Sequence, residues 1–259
     1  MSEKKPSLGV RIFALLVFVY IYLPIVLLMI FSFNSQKLNV RWEGFTWHWY
    51  GELFRDQEVL LATRNTLLIA VISTVVATII GTFAALALQR YRFPGYTIAE
   101  STLYIPVIIP EVVMGISLLV FFSLLGMRLG LFTITLSHIA FNIPFVTLVV
   151  RARLHGFDKA IEEAAMDLGA NRVITFWRVT LPTIMPGVLA GSLLAFTLSL
   201  DDYVITYFTS GPGSTTLPLR VFSMVRFAVT PEVNALSALW IVTVFVVLGI
   251  GQLIQRRQV

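Results

Sequence analysis

Residues Asp158–Pro182 read DKAIEEAAMDLGANRVITFWRVTLP, and this stretch decides how the rest of the chain is understood. Asp158 is a good helix N-cap, and Glu162 stands close to the capping-box position. Acidic residues fill the first turns, where the helix dipole favours them. Ala160, Ile161, Ala164, Ala165 and Leu168 share one side of a short helix. Gly169 can close that helix in a left-handed conformation. A second short helix is predicted over Arg172–Val179, ending near Leu181-Pro182. The small alanines allow close approach by another surface, so such a helix pair can sit in a partner's groove and be moved as a rigid lever. An amphipathic helix lying on a membrane would share the periodicity. It gives no reason for the fixed spacing of Glu163-Ala164-Ala165, Gly169 and Leu181-Pro182.

On both sides of this segment the chain turns apolar. Of its 259 residues 57% are hydrophobic and 13% charged, whereas a soluble domain carries about 25% charged residues. The mean hydropathy of +0.85 agrees. The apolar residues fall in blocks of roughly 20, long enough to cross a bilayer as helix. Six spans are predicted, at Ile12–Phe33, Asn65–Leu88, Leu103–Leu125, Leu131–Val150, Val188–Phe208 and Ala235–Ile254. The first follows Lys4, Lys5 and Arg11, is too long for a signal-peptide core and has no small-residue cleavage site after it. It is read as a retained anchor. With both termini inside, the inside segments hold 12 Lys and Arg and the outside segments 7, the bias expected of cytoplasmic loops. The net charge of +5 is assigned to those loops rather than to nucleic-acid binding.

Several chemistries are excluded. The chain has no cysteine, hence no disulfide, thiolate zinc site or cysteine nucleophile. His48, His138 and His155 show no metal-ligand spacing, so no metal site is expected. There is no catalytic constellation and no GxxxxGK[ST] phosphate loop. If ATP drives transport, a separate chain hydrolyses it. No repeat relates residues 1–130 to 131–259, which disfavours an inverted-repeat transporter.

Ionisable residues inside spans are costly and mark function. Glu111 follows Pro106 and Pro110, about 12 Å from the cytoplasmic end of its span at the helical rise. Pro110 can occupy the first position of a helix with Glu111 behind it, and the two prolines suggest a helix broken beside a cavity. Asp201 and Asp202 lie about 20 Å deep by the same arithmetic. Two adjacent carboxylates cannot share one helix face, so one is expected to face a pathway and the other to hold a neighbouring span. Ser199 can bond a substrate amine or its own backbone. Outside, Trp42, Phe45, Trp47, Trp49 and Tyr50 are interface-belt residues by type, yet their ring faces would also suit a passing cation. Outer aromatics, an acidic pair and Glu111 make chemical sense together as a cation route.

The spacing EAA, three residues, Gly, nine residues, aliphatic, one residue, Leu-Pro resembles the EAA signature of ABC-importer permeases, with Val179 where isoleucine is usual. FNSQKL near Phe33, WYGEL, EEAAMDLGA, LAFTLSLDDYVITYFTSGPGSTTLPLRVFSMVR and TPEVNALS are similar to the polyamine branch, over nearly the whole chain. The resemblance implies an all-α type I importer fold with six transmembrane helices in one permease domain over 1–259. Within it lie an anchor helix at about 12–33, an importer core at about 60–255 and a coupling loop at 151–187. It implies that Glu163, Ala164, Ala165 and Gly169, with Leu181 and Pro182, couple the chain to an ATPase, and that Asp201, Asp202, Glu111, Trp49, Ser199 and Tyr203 line a substrate pathway. It implies a sister permease, two copies of an ATPase that bind ATP and Mg, a periplasmic binding protein, and a bacterial inner-membrane location. The chain itself would hold no cofactor. Three rivals stand beside this reading. One is a permease of the same type for a different cation or a metal. Another is a proton-coupled transporter using Glu111 and Asp201 as relays, which leaves the EAA segment unexplained. The last is a membrane scaffold, for which buried carboxylates would be needless.

Overall fold

The computed structural model describes residues 7–37 and 41–256; the side chains at 247, 248, 250 and 252–256 also lie outside the description. Its elements are α1 (Leu8–Phe31), α2 (His48–Leu53), α3 (Gln57–Arg90), α4 (Tyr96–Ile108), α5 (Glu111–Leu124), α6 (Leu131–Leu154), α7 (Ala160–Asp167), α8 (Arg172–Thr175), a π-helical turn (Phe176–Thr180), α9 (Leu181–Asp201), α10 (Val204–Thr209), α11 (Leu217–Phe227) and α12 (Pro231–Arg256). Among the described residues there are no strands beyond an isolated bridge between Asn34 and Phe45. The chain is an all-α, multi-pass membrane protein.

Among the described residues, four helical stretches are long and apolar enough to cross a bilayer: Leu8–Phe31, Gln57–Arg90, Leu131–Leu154 and Arg172–Asp201. The third predicted span is sharply bent. Its halves, α4 and α5, meet at 113°, and the break falls at Ile109 and Pro110, both extended. Pro110 sits one residue ahead of the helix rather than at its first position, which Glu111 takes. Pro106 lies inside α4. The sixth predicted span, Ala235–Ile254, falls on α12, with its end among the side chains outside the description.

The fifth span corrects the sequence reading. The helix that starts at Arg172 does not end near Leu181-Pro182; it runs unbroken to Asp201. Pro182 has no N–H to give its helix, and the chain accommodates this with a wider turn. The Leu181 N–H bonds the Phe176 carbonyl five residues back, the π-type register that accepts such an insertion. The predicted end at Phe208 is also revised, because the helix breaks at Asp202 and a separate short helix, α10, follows.

Two compact units are distinguished. Met1–Leu60 with Val221–Thr243 make one, and Leu61–Arg220 with Val244–Val259 make the other. In the second, Ala85 and Leu86 of α3, Val146, Val150 and Leu154 of α6, and Ile184 and Ala195 of α9 form a buried core. Small residues bring these helices close, as membrane helices require. A Cβ on Gly187 would lie 2.6 Å from the Arg153 Cβ, and one on Gly81 would lie 2.8 Å from the Val146 Cβ.

Candidate functional site

The aspartate pair sits where α9 gives way to α10. Asp201 is the last residue of α9 and is exposed; it makes no ion pair among the described residues. Asp202 has left the helix, with ψ 118°, and its side chain is only 5% exposed. The extended backbone turns its carboxylate onto the start of α10. There it accepts from the Ile205 N–H at 3.3 Å, the Thr206 N–H at 2.8 Å and the Thr206 hydroxyl at 2.7 Å. Asp202 thus caps α10, whose first N–H groups have no acceptor within the helix. The two adjacent carboxylates face differently, as expected, because the backbone turns at Asp202.

A histidine completes the Asp202 shell. His138 of α6, buried, places Nε2 3.2 Å from Asp202 Oδ2 and 2.9 Å from Thr206 Oγ1. Its Nδ1 lies 2.7 Å from Ser199 Oγ, and Ser199 lies 3.0 Å from Ser73 Oγ of α3. Ser199 therefore bonds neither its own backbone nor open space; it links α9 to α3 and α6. All of these side chains are buried. Four helices are held by one continuous polar chain, which an apolar membrane core makes costly to break.

Glu111, exposed at the first turn of α5, is the third carboxylate. α5 rests on α10 through Gly115, where a Cβ would meet the Phe208 ring at 2.7 Å. Tyr203 stands between α9 and α10, its ring 5.7 Å from that of Tyr207. So Glu111, Asp201, Asp202, Ser199 and Tyr203 gather around two helix breaks in one unit.

Trp49 belongs to the other unit and is buried. Its indole Nε1 donates to the Asn34 carbonyl at 2.7 Å, and this packing role is what its position provides. The neighbouring aromatics cluster on one another: Phe33 lies 5.1 Å from Phe45, 4.8 Å from Trp47 and 5.1 Å from Tyr50.

The segment read as a coupling element folds as a helix closed at both ends. Asp158 Oδ1 accepts from the Ala160 N–H at 2.9 Å. At the other end Gly169 has φ +92°, its N–H bonds the Met166 carbonyl at 2.9 Å, and the Ala170 N–H bonds the Ala165 carbonyl at 3.1 Å, a Schellman closure. Glu162 does not complete a capping box. Its carboxylate instead receives the Arg90 guanidinium at the end of α3 and the Thr180 hydroxyl in the π turn. Glu163, Ala164 and the apolar Ile161 and Leu168 are exposed, Leu168 at 91%. Ala165 is half-buried, as is Leu181, while Pro182 is exposed. Nearby, Arg151 of α6 donates to Glu100 of α4 at 2.5 Å and to Tyr96 at 3.0 Å.

Ser73, Thr206, Arg90 and Thr180 carry no functional signal in the sequence, and His138 is considered there only as a metal ligand. For His138 a signal existed: it is itself an ionisable residue within a predicted span, with Asn142 one turn on. The others are ordinary residues until the fold brings them together.

Residues 77–258 match the family described as binding-protein-dependent transport system inner membrane component. The spermidine/putrescine transport system permease protein PotC of Escherichia coli (strain K12) is 44% identical over 240 residues, covering 93% of this chain and 91% of that protein. The putrescine transport system permease protein PotI of the same organism is 47% identical over 232 residues, covering 87% and 83%. A chain from the crystal structure of a bacterial ABC transporter involved in the import of the acidic polysaccharide alginate superposes with a TM-score of 0.75 at 17% identity, covering 96% of this chain and 95% of that one. That last likeness is one of fold.

Proposed function

This chain belongs to the family of binding-protein-dependent transport system inner membrane components, and we propose that it is a permease subunit of an ATP-driven polyamine importer. With a sister permease it forms the route by which spermidine or putrescine passes from periplasm to cytoplasm. The observation that carries the substrate class is Asp201: an exposed carboxylate with no ion pair among the described residues, at the break between α9 and α10, with Glu111 as a second exposed carboxylate. Acidic residues at such depth mark a substrate or ion pathway, and their sign suits a cationic cargo. The relatives named for spermidine and putrescine agree with that chemistry.

The driving step is assigned to partners. Glu163, Ala164, Ala165 and Gly169 form the surface that docks on a separate ATPase, two copies of which bind ATP and Mg, and Leu181 and Pro182 lie on the helix that carries the movement inward. The exposed apolar side of α7, Ile161 and Leu168 above all, supports this, since a patch left open in a folded chain marks an interaction site. A periplasmic binding protein delivers the amine. Both termini face the cytoplasm of a bacterium, and six spans make one permease domain.

The test is uptake of labelled spermidine and putrescine into proteoliposomes holding this chain, its sister permease, its ATPase and its binding protein, with and without internal ATP. Accumulation that requires ATP is expected. Failure to accumulate either amine, in a complex whose ATPase responds to the loaded binding protein, would overturn the polyamine assignment.

A further inference from the structure

His138 is a buried, titratable side chain for which the transport reading has so far had no use, and hydrogen-bond accounting shows what it does. Thr206 commits its single hydroxyl proton to Asp202 Oδ2, so toward His138 it can only accept. The Asp202 carboxylate can only accept as well. Nε2, 2.9 Å from the one and 3.2 Å from the other, therefore carries a proton. Nδ1 then meets Ser199, which meets Ser73, and Ser73 has the Ala70 carbonyl 3.3 Å away. Hydroxyls donate and accept, so the serine chain is satisfied in either direction, and the ring is held on both sides. Asp202 consequently has a full set of partners within the protein: two backbone N–H groups, a hydroxyl and an imidazole. Asp201, next to it, is exposed and has no ion pair among the described residues.

We propose that His138 is a positioning residue of the pathway: it fixes the Asp202 carboxylate in the wall as the cap of α10, and so reserves Asp201 as the carboxylate that meets the transported cation. The part concerning the cation rests on the polyamine reading; the part concerning His138 and Asp202 does not. Removing the imidazole leaves a buried carboxylate short of a partner and frees the junction of α9 with α10. Removing the carboxylate's charge at the same time relieves that cost, because an amide in its place retains an acceptor for the α10 N–H groups.

The experiment uses the reconstituted importer at saturating loaded binding protein, with uptake rate and the thermal unfolding midpoint of the purified complex measured for five variants. His138→Leu is expected to lower uptake by about tenfold or more and to lower the midpoint, as loss of one partner of a buried pair does. His138→Leu with Asp202→Asn is expected to recover both. His138→Leu with Asp201→Asn recovers neither. Asp201→Asn alone slows uptake at an unchanged midpoint. Asp202→Asn alone moves the midpoint together with uptake. Two results overturn the proposal: no recovery in the His138→Leu, Asp202→Asn protein, or an Asp202→Asn protein that loses uptake at an unchanged midpoint, since Asp202 would then serve the cargo directly. If the parent complex takes up no amine while its ATPase is stimulated, the polyamine reading fails by itself. The pairing of His138 with Asp202 is then decided by whether the midpoint and the stimulated ATPase rate recover in the double variant.

Discussion

Glu162→Ala should separate ATP hydrolysis from uptake. α7 has eight residues, too few to stand as a helix without support, so its place depends on its ties. Two of them converge on one carboxylate, from Arg90 and from Thr180. The Glu162 side chain is 13% exposed and that of Arg90 28%. A hydrogen bond to a charged group contributes about 1.5–3 kcal/mol. Partial exposure screens the Arg90 pair toward or below the lower end, and the Thr180 bond adds about 1 kcal/mol. Together they hold α7 by roughly 2–2.5 kcal/mol, so their loss raises the undocked population by about 30- to 60-fold. The assay is the number of spermidine molecules delivered per ATP hydrolysed in proteoliposomes. The variant should hydrolyse ATP and deliver fewer amines for each, and Arg90→Ala should change the ratio in the same sense. A Glu162→Ala importer with the parent's ratio would refute the argument that this carboxylate ties α7 to the spans.

Asp201→Asn keeps the size of the side chain and removes its charge, so spermidine uptake should slow while the complex assembles as before; an unchanged rate would remove Asp201 from the pathway. Gly169→Arg places an L-residue at φ +92°, a strain of about 1–2 kcal/mol, on the surface assigned to the ATPase. The ATPase should co-purify less, and full co-purification with normal stimulation would count against that surface. Gly211→Ala puts a methyl 2.0 Å from the Leu129 carbonyl oxygen. The backbone there has to retreat, at a cost of about 1–3 kcal/mol or more, so the unfolding midpoint should fall; a midpoint that does not move would mean the two loops are not in contact.

What could be foreseen in this chain divides by range. Apolar blocks located the four long apolar helices because the bilayer sets such lengths, but not the start of the fifth predicted span, which lies at Arg172 rather than Val188. Asp158 and Gly169 announced the ends of α7 because caps are local chemistry. Pro110 announced the bend in the third span for the same reason. The divided roles of Asp201 and Asp202 followed from adjacency alone, but which residue did which did not, since that depends on a backbone turn at 202. Glu162 misled because a side chain placed for a local bond was taken by Arg90, 72 residues away. Leu181-Pro182 misled because a proline usually ends a helix, and the wider turn that spared this one has no marker in composition. Trp49 looked like its exposed aromatic neighbours until Asn34 accepted its indole.

The uninterrupted helix from Arg172 to Asp201 has a mechanical consequence. Its 30 residues make a rod of about 45 Å, with Thr180 tied to α7 near one end and the carboxylates at the other. Under the function proposed here it works as a pushrod. A stroke applied at the cytoplasmic end is carried to Asp201 by one continuous element, whose places of give are the wider turn at Phe176–Thr180 and Pro186. In such a linkage the timing of cargo release is set by the stiffness of one element, and softening that turn would delay the far end without altering either site.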